Sequence, residues 1–384
     1  MAERVPAHRP TGGLALVTGA DGLLGANVTR ALRAHGQDVR AMVQPGSRAT
    51  TLDGLDVEIA RADLRDPAAV TAAISGIDVI VHCAALADPR ASAALLHAVN
   101  VLGTRNVLDA ALAKGARRLI HVGSASSFGF GPAGRPGTEE DDFPPAYRDF
   151  AYALSKHRAM ALVERCVAER GLDALTVALT FMLGAHDSRP SSGELVLRFV
   201  RGGMPLVSPG GRSFVHVSDV AEAIVAALDR GRAGRRYLLA GHNLSYRAFF
   251  TELAGIVGKA PPIATLPAAV VRGVGWGGSA FERLTGRPVA LDRSLAGLAC
   301  QHAWYSPARA IAELGMKQTP LRTALTDCLA GLRRHGHLPG SGELSAVSPQ
   351  PRGRPRAPRA RRGPNAGHLN ASTTKDQAGR EERS

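Results

Sequence analysis

The chain has 384 residues, 45% of them apolar and 21% charged. That is enough for a sizeable buried core and, at roughly 150 residues per domain, two or three units. No run approaches the ~20 apolar residues that span a bilayer, MAERVPAHRP lacks an apolar signal core, and four scattered cysteines (Cys83, Cys166, Cys300, Cys328) form neither a disulfide framework nor a C-x-x-C pair. A cytoplasmic protein with reduced thiols and no transmembrane segment is expected. The net charge of +14 is uneven, since nine basic and four acidic residues lie from Pro339 onward. There PRGRPRAPRARRGP offers little to bury, so a disordered tail over 338–384 is expected, a solvated appendage with no specific nucleic-acid partner.

After a leader (1–12), the pattern alternates strand and helix. LALVT (14–18) is a strand, and NVTRALRAHG carries helical spacing to Gly36. VRAMV (39–43) and VEIARADL (57–64) lead to the second and third strands. A helix follows with Asp66 at its N-cap and Pro67 at N1. DVIVHCAA (78–85) is apolar enough to be covered on both faces. A long helix is expected over 97–115, strands over 118–124 and 174–181, and a helix from AYALSK to Gly171. This rhythm implies an α/β fold with a doubly wound parallel sheet. Residues 13–185, completed by about 212–242, are assigned to a dinucleotide-binding domain. Residues 186–211 and 243–337 are assigned to a smaller substrate lobe. Within that lobe 262–284 reads as helical but interrupted by GVGWGG, and as a wall of the substrate pocket rather than a membrane-surface segment.

The first strand runs into Gly19-Ala20-Asp21-Gly22-Leu23-Leu24-Gly25. Glycines at this spacing between strand and helix allow a tight turn (Gly19), close approach of a pyrophosphate (Gly22) and helix packing (Gly25). No acid ends the second strand, which reads Val43-Gln44-Pro45-Gly46-Ser47-Arg48. An acid there would favour NAD, whereas Arg48 suits a 2′-phosphate, so NADP is favoured over NAD. Asp63 and Leu64 are placed to border the adenine.

Tyr152 and Lys156 stand four residues apart on one helix face. A neighbouring ammonium is expected to bring the phenol, ordinarily near ~10, down toward working pH. Ser124, directly after the fifth strand, can hydrogen-bond a substrate carbonyl or alkoxide.

With TGADGLLG, ADL (62–64), VIVHCAAL (79–86), NVLGTRNVL (100–108), Ser124, YALSK and FVHVSDVAEAI (214–224), residues 13–335 resemble the extended short-chain dehydrogenase/reductase superfamily, its NAD-dependent epimerase/dehydratase group. The resemblance implies that Ser124 and Tyr152 contact the reacting oxygen and that Lys156 holds the nicotinamide ribose. It also implies that Ala84, Ala85 and Asn100 line the cofactor cleft. Leu23, Leu24 and Thr180 complete the candidate cofactor residues, and a homodimer is an expectation of the same kind. Ala125-Ser126-Ser127 replaces the Asp-Glu pair of nucleotide-sugar dehydratases. The apolar 178–184 stretch is similar to the dihydroflavonol-reductase, 3β-hydroxysteroid-dehydrogenase and hopanoid-associated branch. Two departures remain, Leu179 for a frequent proline and Gln44 for a usual arginine.

The thirteen histidines show no H-x-x-x-H spacing, so no metal is expected, and V-G-S-A-S around Ser124 is not the G-x-S-x-G of a hydrolase. The leading expectation is an NAD(P)-dependent oxidoreductase interconverting a secondary alcohol and a ketone on a small, rather apolar substrate. A nucleotide-sugar epimerase using the same residues is the alternative, and a cofactor-sensing scaffold is a third reading.

Overall fold

The computed structural model describes residues 12–287 and 289–339. The expected leader and tail fall outside them but for Gly12, Leu338 and Pro339. Leu338 is buried in a hydrophobic cluster, so packed chain extends one residue past the expected boundary.

The elements begin with β1 (Leu14–Thr18), α1 (Leu23–Ala34), β2 (Val39–Val43), β3 (Glu58–Arg61), α2 (Pro67–Ile74) and β4 (Ile77–His82). Next come α3 (Ala93–Leu96), α4 (Gly103–Lys114), β5 (Arg118–Ser124), α5 (Ala151–Arg170) and β6 (Ala174–Leu179). After β7 (Phe181–Leu183), α6 (Gly193–Gly202), β8 (Leu206–Val207), β9 (Gly211–His216), α7 (Val217–Arg230) and β10 (Arg236–Leu239) the chain adds β11 (His242–Ser245) and α8 (Tyr246–Val257). It closes with β12 (Ala264–Thr265), α9 (Ala268–Thr285), α10 (Arg293–Ala299), β13 (His302–Ala303) and α11 (Leu321–Arg334).

Seven strands form one parallel sheet in the order β10-β6-β5-β4-β1-β2-β3. The order reverses beside β1, and ligands of open α/β sheets bind at the carboxyl ends of strands flanking such a reversal. Both faces are covered, α1 and α7 over one and α2, α4 and α5 over the other. That is why β1, β4 and β6 are almost continuously apolar. Asp66 caps α2 as expected, accepting from the N–H groups of Ala68 and Ala69 at 3.0 and 3.1 Å.

Three expectations need correction. The helix expected over 97–115 is not uniform, because His97–Leu102 is a π-turn and the α-helix proper starts at Gly103. Residues 174–181 are not one strand. The chain leaves the large sheet at Thr180 and joins β9 of a smaller sheet, pairing Phe181 with Phe214. The third concerns GVGWGG, which does not interrupt α9. A Cβ on Gly275 would lie 2.4 Å from Ala296 Cβ, and one on Gly278 2.4 Å from Leu291 O. These glycines let the helix lie directly against α10 and the segment before it. Only Val271 and Gly275 of α9 are buried, while Val270, Val274, Phe281 and Leu284 are exposed. The stretch thus presents most of its large apolar side chains to solvent. No helix of the described residues is long and apolar enough to cross a membrane.

Candidate active site

The three glycines of the loop play different parts. Gly19 has φ +65°, and a Cβ there would sit 2.8 Å from Ala84 Cα. A Cβ on Gly25 would lie 2.1 Å from the Gly19 carbonyl oxygen, whereas one on Gly22 would meet only that oxygen, at 3.4 Å. Gly19 and Gly25 therefore close the turn tightly, and Gly22 leaves backbone open to an approaching ligand. A cavity of about 440 Å³ begins there. Its lining includes Gly19, Gly22, Asp63, Leu64, Ala84 and Ala85 of the expected cofactor residues. The open turn, the helix N-terminus behind it and a cleft of this size fit a dinucleotide.

The other candidates are distributed less simply. Leu23 and Leu24 are buried in the core behind the loop. Gly25 packs against Gly19 and Ala20. Arg48 is exposed and does not line the cavity, which carries Arg65 and Arg189 as its cations. Arg65 is paired with Asp63 at 2.6 Å. Thr180 sits beyond the cavity, its hydroxyl donating to the Leu239 carbonyl at 3.4 Å.

Asn100 is buried in the π-turn without lining the cavity. Its side chain brackets the Leu86 backbone at 2.7 and 3.0 Å and donates to Ser155 Oγ at 3.0 Å. The Ser155 hydroxyl donates in turn to the Tyr152 carbonyl at 2.7 Å. A π-turn at a functional site is a common association, and here it joins the loop after β4 to the start of α5.

A second chain of bonds lies beneath. The Thr104 hydroxyl donates to the Asn100 carbonyl at 2.7 Å, so its oxygen must accept from His82 Nε2, 3.1 Å away. His82 Nδ1 is then unprotonated and accepts from the Thr18 hydroxyl at 2.8 Å, and Thr18 Oγ1 accepts from the Ala84 N–H at 3.0 Å. These directions fix His82 as the neutral Nε2–H tautomer. Burial, reinforced by the Lys156 charge, pushes its pKa down to about 3. His121, 5.6 Å away between ring centres, is held well below its ordinary value by burial, then Lys156 and His82.

Ser124 and Tyr152 approach each other at the carboxyl end of β5, closely enough for the Ser124 side chain to act on the Tyr152 phenol. Ser126, 2.8 Å from Ser124 through the two hydroxyls, is a further partner that the sequence did not single out. Lys156 is buried and donates to the Val122 carbonyl at 2.7 Å. Burial lowers its pKa to about 8, with nearby Cys83 opposing.

The expected lowering of Tyr152 by Lys156 is not what the structure gives. Burial raises the phenol above its ordinary value, opposed by the Ser124 side chain and then by the charge of Arg212. Lys156 spends its ammonium on Val122 instead. Arg212 is also new. Its Nε donates to the Tyr246 hydroxyl at 2.8 Å among buried Tyr147, Tyr246 and Tyr305, and no carboxylate pairs with it among the described residues.

The sequence model of the NAD dependent epimerase/dehydratase family matches residues 15–240. The chain belongs to that family. This epimerase/dehydratase-family protein is 30% identical over 329 residues to the putative dihydroflavonol 4-reductase of Synechocystis sp., covering 84% of this chain and 95% of that one. It is 33% identical over 330 residues to sterol demethylase protein B of Methylococcus capsulatus, covering 84% and 99%. Among solved structures it is similar to gox2253, with TM-score 0.76, 32% identity and coverage of 85% and 99%. The family is one of extended short-chain dehydrogenase/reductase oxidoreductases that use a nicotinamide cofactor, and this chain is an enzyme of that class.

Proposed function

We propose that the chain interconverts a secondary alcohol and a ketone on a small, rather apolar substrate, with Ser124, Tyr152 and Lys156 as its catalytic residues. The observation that carries this reading is the approach of Tyr152 to Ser124 at the carboxyl end of β5, with buried Lys156 one helical turn further along α5. The apolar 178–184 stretch and the names of the two curated relatives support the substrate class. The nicotinamide, when bound, supplies or takes up the hydride. Ser124 and Tyr152 then share the substrate oxygen, Ser124 fixing its direction and the Tyr152 hydroxyl giving it a proton on reduction. A phenol held high by burial stays protonated until that oxygen demands its proton, which suits a donor. Lys156, anchored on Val122, holds a positive charge near Cys83, where it can orient the cofactor's ribose. Alignment of the reactants supplies about 7–11 kcal/mol of the acceleration in favourable cases.

NADP is favoured over NAD, because Gln44 rather than an acid lines the cleft at the end of β2 and Arg65 stands in it. We assign residues 186–211 and 243–337 to substrate binding, and the protein to the cytoplasm as a homodimer. The four cysteines, all free in the structure, suit a reducing compartment.

Arg212 favours a second reading. A cation set among tyrosines, acting on Tyr152 and lacking a carboxylate, suits a substrate carrying its own anionic group. The diphosphate of a nucleotide sugar is such a group, and an epimerase would use the same three residues.

One experiment separates the two. The purified protein is given NADPH or NADH with a panel of apolar ketones, and NAD+ with a panel of nucleotide sugars, while absorbance at the reduced-nicotinamide band is followed and the sugar products are separated by chromatography. Net consumption with apolar ketones is expected. Sugar interconversion without net consumption would establish the epimerase, and silence across both panels would overturn the enzymatic reading.

A further inference from the structure

Arg189 is not part of any motif discussed above. It stands on the segment between β7 and α6, 168 residues from the glycine loop, yet it reaches across the cleft to donate to Asp21 Oδ2 at 2.8 Å. The segment carrying it is well tied down. The Asp187 carboxylate accepts from the N–H groups of Ser191 and Gly193 at 3.0 Å. Asn27 of α1 donates to the Ala185 carbonyl at 2.9 Å, and His337 Nε2 bonds the Ser188 carbonyl at 2.8 Å. The Arg189 side chain remains two-thirds exposed, at 67%, while the Asp21 side chain is 8% exposed.

Asp21 places a carboxylate within the glycine turn. It lies between Gly19 and Gly22, the two cavity-lining glycines of a turn built for phosphate. A carboxylate there faces the same space as the ligand's negative charge. It is held down by Arg189 and by the Ser47 hydroxyl, which donates to the same oxygen at 2.5 Å. The pair is an anion and a cation side by side on the lip of an anion site.

We infer that Arg189 is a clamp on the diphosphate of the bound dinucleotide and that Asp21 is its internal competitor, occupying the guanidinium until the diphosphate takes its place. This rests on the reading that the cleft holds a dinucleotide. The guanidinium carries its N–H donors in a fixed fork, so once released from Asp21 it can engage two phosphate oxygens side by side. Placement beside residue 21 assigns the contact to the diphosphate, which NAD and NADP share, rather than to a 2′-phosphate.

The two members of the pair must then act with opposite signs. A charge-assisted hydrogen bond of ordinary strength corresponds to roughly 10- to 100-fold in affinity. Removing Arg189 loses it, whereas neutralising Asp21 frees the guanidinium and removes a like charge from the phosphate site. Were the pair only a tie between two loops, both changes would loosen the cleft and weaken binding alike.

The test is the dissociation constant of NADH and of NADPH, read by quenching of protein fluorescence, for the wild type, Arg189→Ala, Arg189→Lys and Asp21→Asn. Circular dichroism and thermal melting confirm that each variant is folded. Arg189→Ala is expected to weaken both nucleotides by roughly 10-fold or more, Arg189→Lys to lie between it and the wild type, and Asp21→Asn to tighten both by about threefold or more. Unchanged binding in Arg189→Ala, loss confined to NADPH, or weakening in Asp21→Asn would each overturn the clamp. Failure of the wild type to bind either nucleotide would instead remove the cofactor reading beneath it.

Discussion

The neutral state of His82 makes the protein measurably sensitive to acid. His82 is 1% exposed, and its two ring nitrogens are committed to Thr18 and Thr104 in the Nε2–H tautomer. Its pKa falls from an ordinary 6.5 to about 3 on folding. Below pH 6.5 the unfolded chain therefore takes up a proton that the folded chain refuses. Stability is full above that value and is lost progressively as pH drops toward 3. Between pH 7 and pH 5 this one group costs about 2 kcal/mol, at 1.36 kcal/mol per pH unit below the unfolded value. His121, also held low, adds to the same slope. The assay is urea denaturation at pH 7 and pH 5 for the wild type and His82→Asn. The variant is less stable at pH 7 by about 1–3 kcal/mol, since a buried hydrogen bond is lost. Its further loss on going to pH 5 is smaller than that of the wild type by about 2 kcal/mol. An identical acid-induced loss in both proteins would refute the reasoning, because the proton would then be binding elsewhere.

Three other outcomes follow from the geometry. Gly25→Ala sets a Cβ 2.1 Å from the Gly19 carbonyl oxygen and 2.7 Å from Ala20 Cα. It should cost about 1–3 kcal/mol in a thermal melt and weaken dinucleotide binding, because the turn must open to admit it. With the Lys156 pKa at about 8, its ammonium is lost as pH rises through that value. A falling limb in kcat/KM near pH 8 is expected, and Lys156→Arg should move that limb above pH ~10, since a guanidinium does not titrate there. On α9, Val274→Ser should leave stability within about 0.5 kcal/mol. Val271→Ser on the buried face should cost about 1–3 kcal/mol. Equal losses at the two positions would contradict the outward-facing helix.

The large sheet was legible because its signals are local. β1, β2 and β5 fall on the residues expected, and the caps at Asp66 and Gly171 stand where the chemistry of turns puts them. The π-turn around Asn100 and the departure from the sheet at Thr180 were not legible. Hydropathy does not distinguish a wider helical turn from an ordinary one, or one long strand from two that change sheets. The same limit applies to α9, where glycines that weaken an isolated helix permit its contact with Ala296 and Leu291.

At the candidate site, the glycine loop, Ser124, Tyr152 and Lys156 are short patterns that a chain reveals on its face. Their environments are not. The upward push on Tyr152 comes from burial, and the charge opposing it comes from Arg212, 60 positions away. The sequence offered Arg48 as the cleft's cation because it stands near β2, while folding delivers Arg189 from beyond β7. Ser155 lies inside the YALSK motif, and only its bonds to Asn100 and to the Tyr152 carbonyl show what it does.

The most direct test of the account is turnover and nucleotide affinity in Tyr152→Phe, which removes a single oxygen from a half-buried ring. Loss of a positioned proton donor should lower kcat by at least about 100-fold while NADPH binds as tightly as before. A variant that keeps most of its turnover, or that loses the nucleotide together with the activity, would contradict the assignment of Tyr152 to proton transfer.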